Sequence, residues 1–427
     1  MKIVNSQDLN EVMSLCERPS ISNDQLKPII EGIFNEVQSL GDAALKKYTH
    51  YFDKVDLDNL IVSEEEIENA VSKVSDELKS AIQVAKSNIE KFHKSQQVAA
   101  VKITTSKGVS CWQESRAIEK VGIYIPGGTA PLFSTVLMLA VPAQIAGCKE
   151  VIMCTPPNSK GEINPVILYT ANLCGITKIV KVGGAQAIAA MSLGTESVPK
   201  TFKIFGPGNQ YVTAAKMMSQ EYGSAIDMPA GPSELMLVAD DSAVPSFVAA
   251  DLLSQAEHGE DSQVICIASS LDLINKIQEQ ITSQLQQLPR KEIAASALEN
   301  SRFICSDSFD FNLKVINEYA PEHLILCTND NDKILPLIES AGSVFIGNYT
   351  PESAGDYASG TNHTLPTSAF AKTYSGVNLA AFQKQISFQE ITKEGILNLG
   401  ATIELMAEAE QLEAHKNAVT LRLKSLQ

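Results

Sequence analysis

The sequence predicts an α/β protein with two parallel-sheet domains and helical segments at both ends of the chain. Between Val121 and Ile346, short β-rich runs alternate with helical runs, which is typical of βαβ units. Much of the first hundred residues, and Ile391–Gln427 at the other end, instead place apolar residues at helical spacing. A chain of 427 residues is also too long for one ordinary core, so two or more domains are expected.

The N-terminal segment is predicted to be helical. Apolar positions recur at helical spacing over Glu65–Gln97, among abundant glutamate and lysine. A polar turn is predicted near Thr104–Ser110, just before the single Trp112.

Two series of β-rich runs predict two α/β domains with one sheet each. The domains are expected to be joined near Asp227–Pro232 in the chain. Most of these runs are followed by a helical run, which makes neighbouring strands parallel. The first series comprises Val121–Ile125, Glu150–Cys154, Lys178–Val182 and Phe202–Phe205. The second comprises Glu234–Ala239, Gln263–Ala268, Phe303–Cys305, Leu324–Cys327 and Ser343–Ile346.

Charge and cysteine usage narrow the class of protein. The formal net charge is −16, which argues against a nucleic-acid or anionic-membrane surface, since either needs a basic patch. The eight cysteines are scattered without a CxxC pair, as expected of reduced core residues in a cytoplasmic protein. The N-terminus carries charges and no apolar signal region, and the longest apolar run, Thr135–Gly147, is too short to span a bilayer.

The segment Pro351–Pro366 is the most polar stretch with chemically useful side chains. It holds Glu352, Asp356 and His363 among hydroxyl residues and glycines, with almost nothing apolar to bury, so neither helix nor strand is expected. Such a loop usually binds or reacts with a ligand, although a solvated connector is the alternative. Because it follows the last strand of the second series, we expect it at the carboxyl edge of that sheet.

Two histidine-containing motifs are candidates for chemistry. Gln255 and His258 are three positions apart near a predicted helix end, so both could reach one metal ion, or could simply cap the helix. Glu322 and His323 stand at the start of a predicted strand, where a carboxylate beside an imidazole suits a general base. A surface turn explains that spacing equally well.

Glycine-rich turns and the C-terminal helix complete the candidates. Three strand–glycine–helix turns begin near Tyr124, Val182 and Phe205 and fit a nucleotide at the carboxyl edge of a sheet, although a purely structural role is equally compatible. None is a GxGxxG motif, and no ribose-binding acid stands at the usual offset. Glu410 and His415 are five positions apart on the C-terminal helix, which by itself indicates a solvated face.

Together these motifs resemble the histidinol dehydrogenase family from about Val121 to the C-terminus. The segments that carry the resemblance are VGIYIPGGTAPLFSTVLMLAVPAQIAGC, VGGAQAIAA, KIFGPGN, IDMPAGPSE, DLLSQAEHG, YAPEHL, GSVFIGNYTPESAGDYASGTNHTLPT and AHKNAVTLR. The resemblance implies oxidation of L-histidinol to L-histidine through L-histidinal, the last steps of histidine biosynthesis. It also implies two NAD⁺ used in succession, one zinc ion per subunit, and a homodimer whose subunits share active sites.

The resemblance also implies the site residues, named here by their numbers in this sequence. Catalysis falls to Glu322 and His323, and NAD contacts to Tyr124, Gln186 and Asn209. The implied metal ligands are Gln255, His258, Asp356 and His415. The implied substrate contacts are Ser233, Gln255, His258, His323, Asp356, Glu410 and His415. Glu410 and His415 would come from the partner subunit, and His363 would lie near the substrate or behind the ligands.

The implied fold has two incomplete Rossmann-like domains with small helical ends. The expected division is a helical element at 1–21, a discontinuous α/β domain at 22–120 plus 235–378, an NAD-binding domain at 121–234, and a helical element at 379–427. Two other functions remain as alternatives. One is a metal-dependent hydrolase using His258, Asp356, His415 and Glu322, which the glycine turns disfavour. The other is a two-lobed metabolite-binding protein, which is disfavoured because the charged N-terminus has no apolar signal region.

Overall fold

The computed structural model describes residues 1–19, 23–127, 130–176 and 178–427. The predicted boundary between residues 21 and 22, and the second glycine of the turn after Tyr124, lie outside these described residues. In the described part of the chain, no helix is both long and apolar enough to cross a membrane.

The secondary-structure elements are numbered in chain order. The strands are β1 Lys2–Val4, β2 Ile103–Ser106, β3 Val109–Ala117, β4 Lys120–Tyr124, β5 Glu150–Thr155, β6 Lys178–Lys181, β7 Lys203–Phe205, β8 Ala225–Ile226, β9 Glu234–Ala239, β10 Gln263–Ala268, β11 Arg302–Cys305, β12 His323–Cys327, β13 Ser343–Ile346 and β14 Gln383–Ile391. The α-helices are α1 Leu9–Leu15, α2 Asn23–Leu40, α3 Asp42–Asp53, α4 Glu64–Lys73, α5 Asp76–Lys94, α6 Phe133–Ala146, α7 Pro165–Leu173, α8 Gly184–Leu193, α9 Gln210–Ser219, α10 Pro245–Ala256, α11 Leu271–Leu285, α12 Lys291–Glu299, α13 Phe309–Tyr319, α14 Asn331–Ile334, α15 Glu352–Tyr357, α16 Lys393–Ala409 and α17 Glu413–Lys424.

The chain divides into two compact units. The first contains Met1–Ser95 and Ile118–Phe382, and the second contains Gln96–Ala117 and Gln383–Gln427.

The first unit holds two parallel sheets with the same internal strand order. The five-stranded sheet has the order β6-β5-β4-β7-β8, and the six-stranded sheet has the order β1-β11-β10-β9-β12-β13. If β1 is set aside, each series places its strands in the order third, second, first, fourth, fifth. This is the doubly wound order of a Rossmann domain without its sixth strand, which confirms the predicted fold class.

Continuous apolar runs explain why these strands are central. All six side chains of β9 and of β10 are buried, as expected for strands covered by helices on both faces. One apolar cluster joins Phe303 and Leu237 to helices α10 and α11, and a second cluster on the other face joins Met236 to Tyr319 of α13. The six-stranded sheet is therefore a rigid platform, and its two edges are where polar chemistry can be placed.

The N-terminal helices pack against the five-stranded sheet. Ile30 and Phe34 of α2 share an apolar cluster with Ile152 of β5, while Ile82 of α5 clusters with Val121 of β4. This packing differs from the expected grouping of 22–120 with 235–378. The apolar stripes of these helices cover the faces of the five-stranded sheet. Helical periodicity predicts such a stripe but does not say which sheet it packs against.

The first residues of the chain also differ from the expected helical element at 1–21. They begin with β1, which pairs with β11 in parallel, with Lys2 opposite Arg302. Helix α1 follows, and its Val12 is buried against the same sheet.

The second unit consists of an antiparallel sheet of order β14-β3-β2 and the two helices α16 and α17. The expected helical element at 379–427 therefore contains a strand as well. Ile386 and Phe388 are two residues apart with Ser387 between them, which is the period of a strand, and Phe388 stacks on Trp112 of β3 at 5.4 Å between ring centroids. The polar turn predicted near Thr104–Ser110 is the hairpin between β2 and β3.

Candidate active site at the amino edge of the six-stranded sheet

The amino edge of the six-stranded sheet gathers most of the predicted site residues. Glu234 begins β9 and His323 begins β12, and these two strands are neighbours. Helix α10 connects β9 to β10, so its end must return to the amino edge, and Gln255 and His258 stand at that end. The carboxyl-edge location expected for Pro351–Pro366 is wrong, because Asp356 of that segment lies 3.6 Å from His323 at the start of β12.

The polar segment after β13 begins as helix α15, although no helix was expected there. Asp251 of α10 accepts a hydrogen bond from the backbone N–H of Glu352, one of the groups that a helix start leaves without a partner. Gly355 is buried against the ring of Phe345, so the helix packs closely despite having few apolar side chains. Because Glu352 and Asp356 are four positions apart, the helix presents them on one face.

His323 is buried among three carboxylates. Its Nδ1 lies 3.6 Å from Glu322 Oε2 and 3.6 Å from Glu352 Oε1, and 3.4 Å from the carbonyl oxygen of Glu234. Its Nε2 lies 3.6 Å from Asp356 Oδ1 and has no hydrogen-bond partner within the described residues. The acceptors around Nδ1 place a proton there, so Nε2 is the atom that can exchange a proton with a ligand.

Burial and charge act in opposite directions on this imidazole. Burial alone lowers the pKa of His323, but the carboxylates of Glu322, Glu352 and Asp356 outweigh it and raise the pKa to about 10. Burial raises the pKa of Glu322 to about 7 and that of Glu352 to about 8, although His323 opposes both shifts. Burial also raises the pKa of Asp356, but the charge of the nearby His323 imidazole outweighs it and leaves that pKa lowered.

Glu322 is held in place by the neighbouring strand. Its Oε2 accepts a hydrogen bond of 3.0 Å from the backbone N–H of Glu234. Ser233 precedes that strand and is half-buried. The Glu322–His323 pair thus stands at the start of β12 and is held by the neighbouring β9, so its geometry is well defined.

His258, Glu352 and Asp356 form a cluster that could hold a metal ion, since one ligand atom from each lies within 4.8 Å of the others. His258 is exposed, so the cluster is open on one side, whereas Glu352 is buried. Gln255, one turn before His258, is buried, and both its amide oxygen and its amide nitrogen lack hydrogen-bond partners in the described structure. Glu352 Oε1 likewise accepts no hydrogen bond from any residue that the structure describes. Buried polar atoms without partners call for an ion or ligand, and mixed oxygen and nitrogen donors suit a divalent metal.

Glu352 was not among the residues assigned to the site from the sequence. Its Oε2 accepts a hydrogen bond of 3.2 Å from Ser254 Oγ, which leaves Oε1 toward His323. The four-residue spacing to Asp356 was the available signal, but it has meaning only if the segment is helical.

His363 links the cluster to helix α6. Its Nδ1 lies 2.8 Å from the carbonyl oxygen of Asp356, so it donates there, and Nε2 lies 3.1 Å from Thr135 Oγ1. Burial lowers the pKa of His363, in agreement with a neutral ring that accepts from the hydroxyl of Thr135.

Glu410 and His415 belong to the second unit. Glu410 caps the end of α16, His415 lies in the first turns of α17, and both side chains are exposed. The geometry of the first unit therefore brings together Glu322, His323, His258 and Asp356.

A cavity of about 990 Å³ lies at the carboxyl edge of the five-stranded sheet. Tyr124, the last residue of β4, lines it together with Gln186 and Asn209, which follow β6 and β7 respectively. The Tyr124 hydroxyl accepts a hydrogen bond of 3.0 Å from the N–H of Gly184, whose φ of +66° suits glycine. The other wall comes from helices α2, α3 and α4. Size and position fit a nucleotide-type ligand at the switch point of a doubly wound sheet.

Comparison with known proteins agrees over the whole chain. A family model described as histidinol dehydrogenase matches residues 16–423. The histidinol dehydrogenase of Bacteroides thetaiotaomicron is 56% identical and covers 100% of both chains, and that of Escherichia coli K12 is 52% identical over 99% of this chain and 97% of its own. The crystal structure of histidinol dehydrogenase from Elizabethkingia anophelis is similar with a TM-score of 0.97 and 56% identity, covering 100% of this chain and 98% of that chain. The chain therefore belongs to the histidinol dehydrogenase family, which makes it an oxidoreductase of histidine biosynthesis.

Proposed function

We propose that this protein oxidises L-histidinol to L-histidine through L-histidinal, with two NAD⁺ used in succession and one zinc ion per subunit. The observation that carries the proposal is the buried Glu322–His323 pair standing beside the cluster of His258, Glu352 and Asp356. An acid–base pair next to a metal-type cluster, in a chain that also has a nucleotide-sized cavity, suits hydride transfer from a nitrogen-rich alcohol.

The metal would be held by Gln255, His258 and Asp356 of one chain, with His415 from a second chain. Glu352 would either join this set or hold Asp356 and His323 in position. When bound, zinc would take the imidazole and amino nitrogens of the substrate and, by its charge, lower the pKa of His323 toward the working pH.

In the first oxidation, His323 takes the proton of the substrate hydroxyl at Nε2. Its Nδ1 faces the carbonyl oxygen of Glu234 and the two glutamates, so the ring is held with Nε2 free. Help of this kind typically accelerates a proton transfer by ~10²–10⁴-fold. When bound, NAD⁺ would supply the hydride acceptor for both oxidations.

In the second oxidation, Glu322 takes a proton from the water that adds to the aldehyde. Its carboxylate is fixed by the N–H of Glu234 and lies against His323. Glu322 and His323 can therefore exchange protons with each other in both oxidations while strands β9 and β12 keep their positions. For Glu322→Gln we expect histidinol oxidation to outlast histidinal oxidation, and equal loss of both rates would contradict the assignment.

The cofactor contacts are assigned to Tyr124, Gln186 and Asn209. All three line the cavity at the carboxyl edge of the five-stranded sheet. The cavity wall includes Pro131, which lies just before helix α6, and Thr135 in the first turn of α6 contacts His363. This proximity supports placing the nicotinamide end of the dinucleotide toward the start of α6. The expected NAD-binding domain at 121–234 remains our assignment.

We further infer a homodimer in which Glu410 and His415 complete the site of the other subunit. Both are exposed, and the helices that carry them also expose large apolar side chains such as Leu405, Met406 and Leu421. Apolar side chains grouped in this way suit a surface that packs on another chain. Reduced cysteines are consistent with the cytoplasmic location we assign, since all eight are free.

The direct test is NADH formation from L-histidinol and NAD⁺ with zinc present. We expect two NADH per histidinol, and activity lost on chelation and restored by zinc. Absence of NADH would overturn the proposal. The metal-dependent hydrolase has less support, because a hydrolase has no use for the large cavity at the other sheet.

Sharing of sites between subunits is tested by mixing two inactive variants. His258→Asn and His415→Asn chains should each bind zinc weakly. If His415 serves the other subunit, mixed dimers should recover about a quarter of the sites by random pairing. No recovery would indicate that each chain builds its own site.

A further inference from the structure

The cofactor cavity is lined by the glycine turns and also by charged and apolar side chains of helices that precede the five-stranded sheet. Helices α2, α3 and α4 contribute Ile29, Phe52, Asp53, Glu66 and Lys73 to it. This wall comes from a part of the sequence that precedes the five-stranded sheet altogether.

Asp53 is the unusual member of that wall. It is the last residue of α3, where the negative end of the helix dipole disfavours a carboxylate. Its Oδ2 is buried and has no hydrogen-bond partner within the described residues. Burial also raises the pKa of Asp53 to about 6. All three features are unfavourable for the free protein, which indicates that this carboxylate serves a ligand.

The other carboxylates of the cavity do not share this state. Glu66 forms an ion pair and hydrogen bond with Lys181 and also accepts from Ser63, and Glu162 is exposed to solvent. Asp53 therefore supplies the buried acceptor that is still unused. It lies near Tyr124, whose pKa is raised mainly by burial and to a lesser extent by the charge of Asp53, and Tyr124 precedes the glycine turn after β4.

We infer that Asp53 accepts hydrogen bonds from the 2′- and 3′-hydroxyls of the adenosine ribose of the dinucleotide, and so selects NAD⁺ over NADP⁺. The inference rests on the proposed use of NAD. In Rossmann domains an acid about twenty residues after the glycine turn performs this task, and this sequence has none at that offset. Here the acid comes from helix α3 instead, a part of the chain that precedes the five-stranded sheet.

The adenosine half is the one assigned to Asp53 because the nicotinamide half is required elsewhere. Hydride transfer places nicotinamide at the reacting cluster, and helix α6 connects the cavity to that cluster through Thr135 and His363. The half of the dinucleotide that contacts α3 is then the adenosine half. A phosphate on the 2′-hydroxyl would meet the Asp53 carboxylate and be repelled by it.

Fragments of the cofactor test the inference by calorimetry on the zinc-loaded protein. The probes are adenosine 5′-monophosphate, its 2′-deoxy analogue, adenosine 2′,5′-bisphosphate and nicotinamide mononucleotide. For Asp53→Asn we expect the Kd of adenosine monophosphate to rise about tenfold, as for loss of hydrogen bonds to a charged group. The Kd of the deoxy analogue should change less, and that of nicotinamide mononucleotide should not change. The 2′,5′-bisphosphate should bind more tightly, because the carboxylate charge that repels its 2′-phosphate is removed.

Asp58→Asn is the matched control, since Asp58 is exposed, stands in the same stretch of chain and does not line the cavity. The inference is overturned if Asp53→Asn leaves adenosine monophosphate binding unchanged, weakens both adenosine nucleotides equally, or weakens nicotinamide mononucleotide instead. Any of these results in a protein that still makes NADH from histidinol would leave the proposed function intact. Absence of NADH in the unsubstituted protein would remove the proposed function itself.

Discussion

The two parallel sheets of the first unit share one strand order but use opposite edges. The five-stranded sheet has its large cavity at the carboxyl edge, where strands β4, β6 and β7 end in glycine-containing turns. The six-stranded sheet instead gathers Glu322, His323 and the metal-type cluster at its amino edge. Strand order therefore does not decide where chemistry is placed, because the residues at each edge do.

The carboxyl edge of the six-stranded sheet shows how its residues, and not its strand order, make it unsuited to a nucleotide. A smaller cavity of about 280 Å³ lies there, lined by Asp240, Asp241, Asp307 and Asp330. Asp240 accepts hydrogen bonds from the backbone N–H groups of Ser242 and Asn329. At this edge the Asp240 carboxylate accepts hydrogen bonds from turn N–H groups that could otherwise bind a phosphate. The negative charge of the acidic side chains also repels a phosphate. In the other sheet, glycine turns leave that position open.

The largest expected effect comes from His323→Ala at the amino edge. Both half-reactions should fall by ~10²–10⁴-fold, because the group that exchanges the substrate proton is lost. Zinc content and NAD binding should be retained, since His323 is neither a proposed ligand nor part of the cavity. Stopped-flow rates with histidinol and with histidinal, together with metal analysis, check this. His50→Ala, which removes an exposed imidazole, is the control. Loss of metal from the His323 variant would contradict the division of roles.

Glu352→Gln tests whether the newly found carboxylate belongs to the amino-edge cluster. We expect zinc affinity to fall at least about tenfold, because one oxygen of the cluster loses its charge. Competition with a chelator of known affinity measures this. Glu257→Gln, which changes the carboxylate next to His258 but outside the cluster, should have little effect. An unchanged affinity in the Glu352 variant would assign Glu352 to positioning His323 instead.

Gly184→Ala disturbs the carboxyl edge of the five-stranded sheet alone. Its φ of +66° disfavours alanine, and a Cβ there would lie 2.7 Å from Gln186 Oε1, so this cavity side chain must move. We expect KM for NAD⁺ to rise about tenfold with zinc affinity unchanged. Gly223→Ala carries similar backbone strain at φ +84° but has nothing within 4 Å, so it isolates the contact from the strain. If both variants raise KM equally, the effect of Gly184→Ala comes from general destabilisation and not from its contact with Gln186.

Asp53→Asn should stabilise the free protein slightly. The folded pKa of about 6 lies above the ordinary 3.8, so ionisation opposes folding as the pH rises through this range. The variant should therefore gain about 1 kcal/mol near pH 8, after allowance for partial exposure, and almost nothing near pH 4. Urea unfolding at both pH values measures the gain. A gain that does not depend on pH would show that the carboxylate is not the cause.

The fold was largely predictable because buried parallel strands leave a strong sequence pattern. Strands β9, β10 and β13 have the predicted limits, since continuous apolar runs between polar turns leave little ambiguity. The short β1 was not predicted, because three residues carry no period, and β14 was absorbed into a region with strong helical pattern.

The site was predictable by residue type but not by place. His258, His323 and Asp356 were identified, and the structure brings them together. The edge that Asp356 occupies was missed because it depends on α15 returning across the sheet, which no local pattern encodes. Glu352 was missed for the same reason, since a helix with almost no apolar face is stabilised only by its tertiary contacts.

The pairing of β1 with β11 bears on how the chain folds as it is synthesised. The five-stranded sheet has all its strands once Ile226 has emerged, whereas Lys2 must wait for Arg302 before the six-stranded sheet can close its edge. We therefore expect the cofactor-binding half to become protease-resistant first on the ribosome. Until then the N-terminal strand remains an unpaired edge, available to a chaperone or to a neighbouring chain.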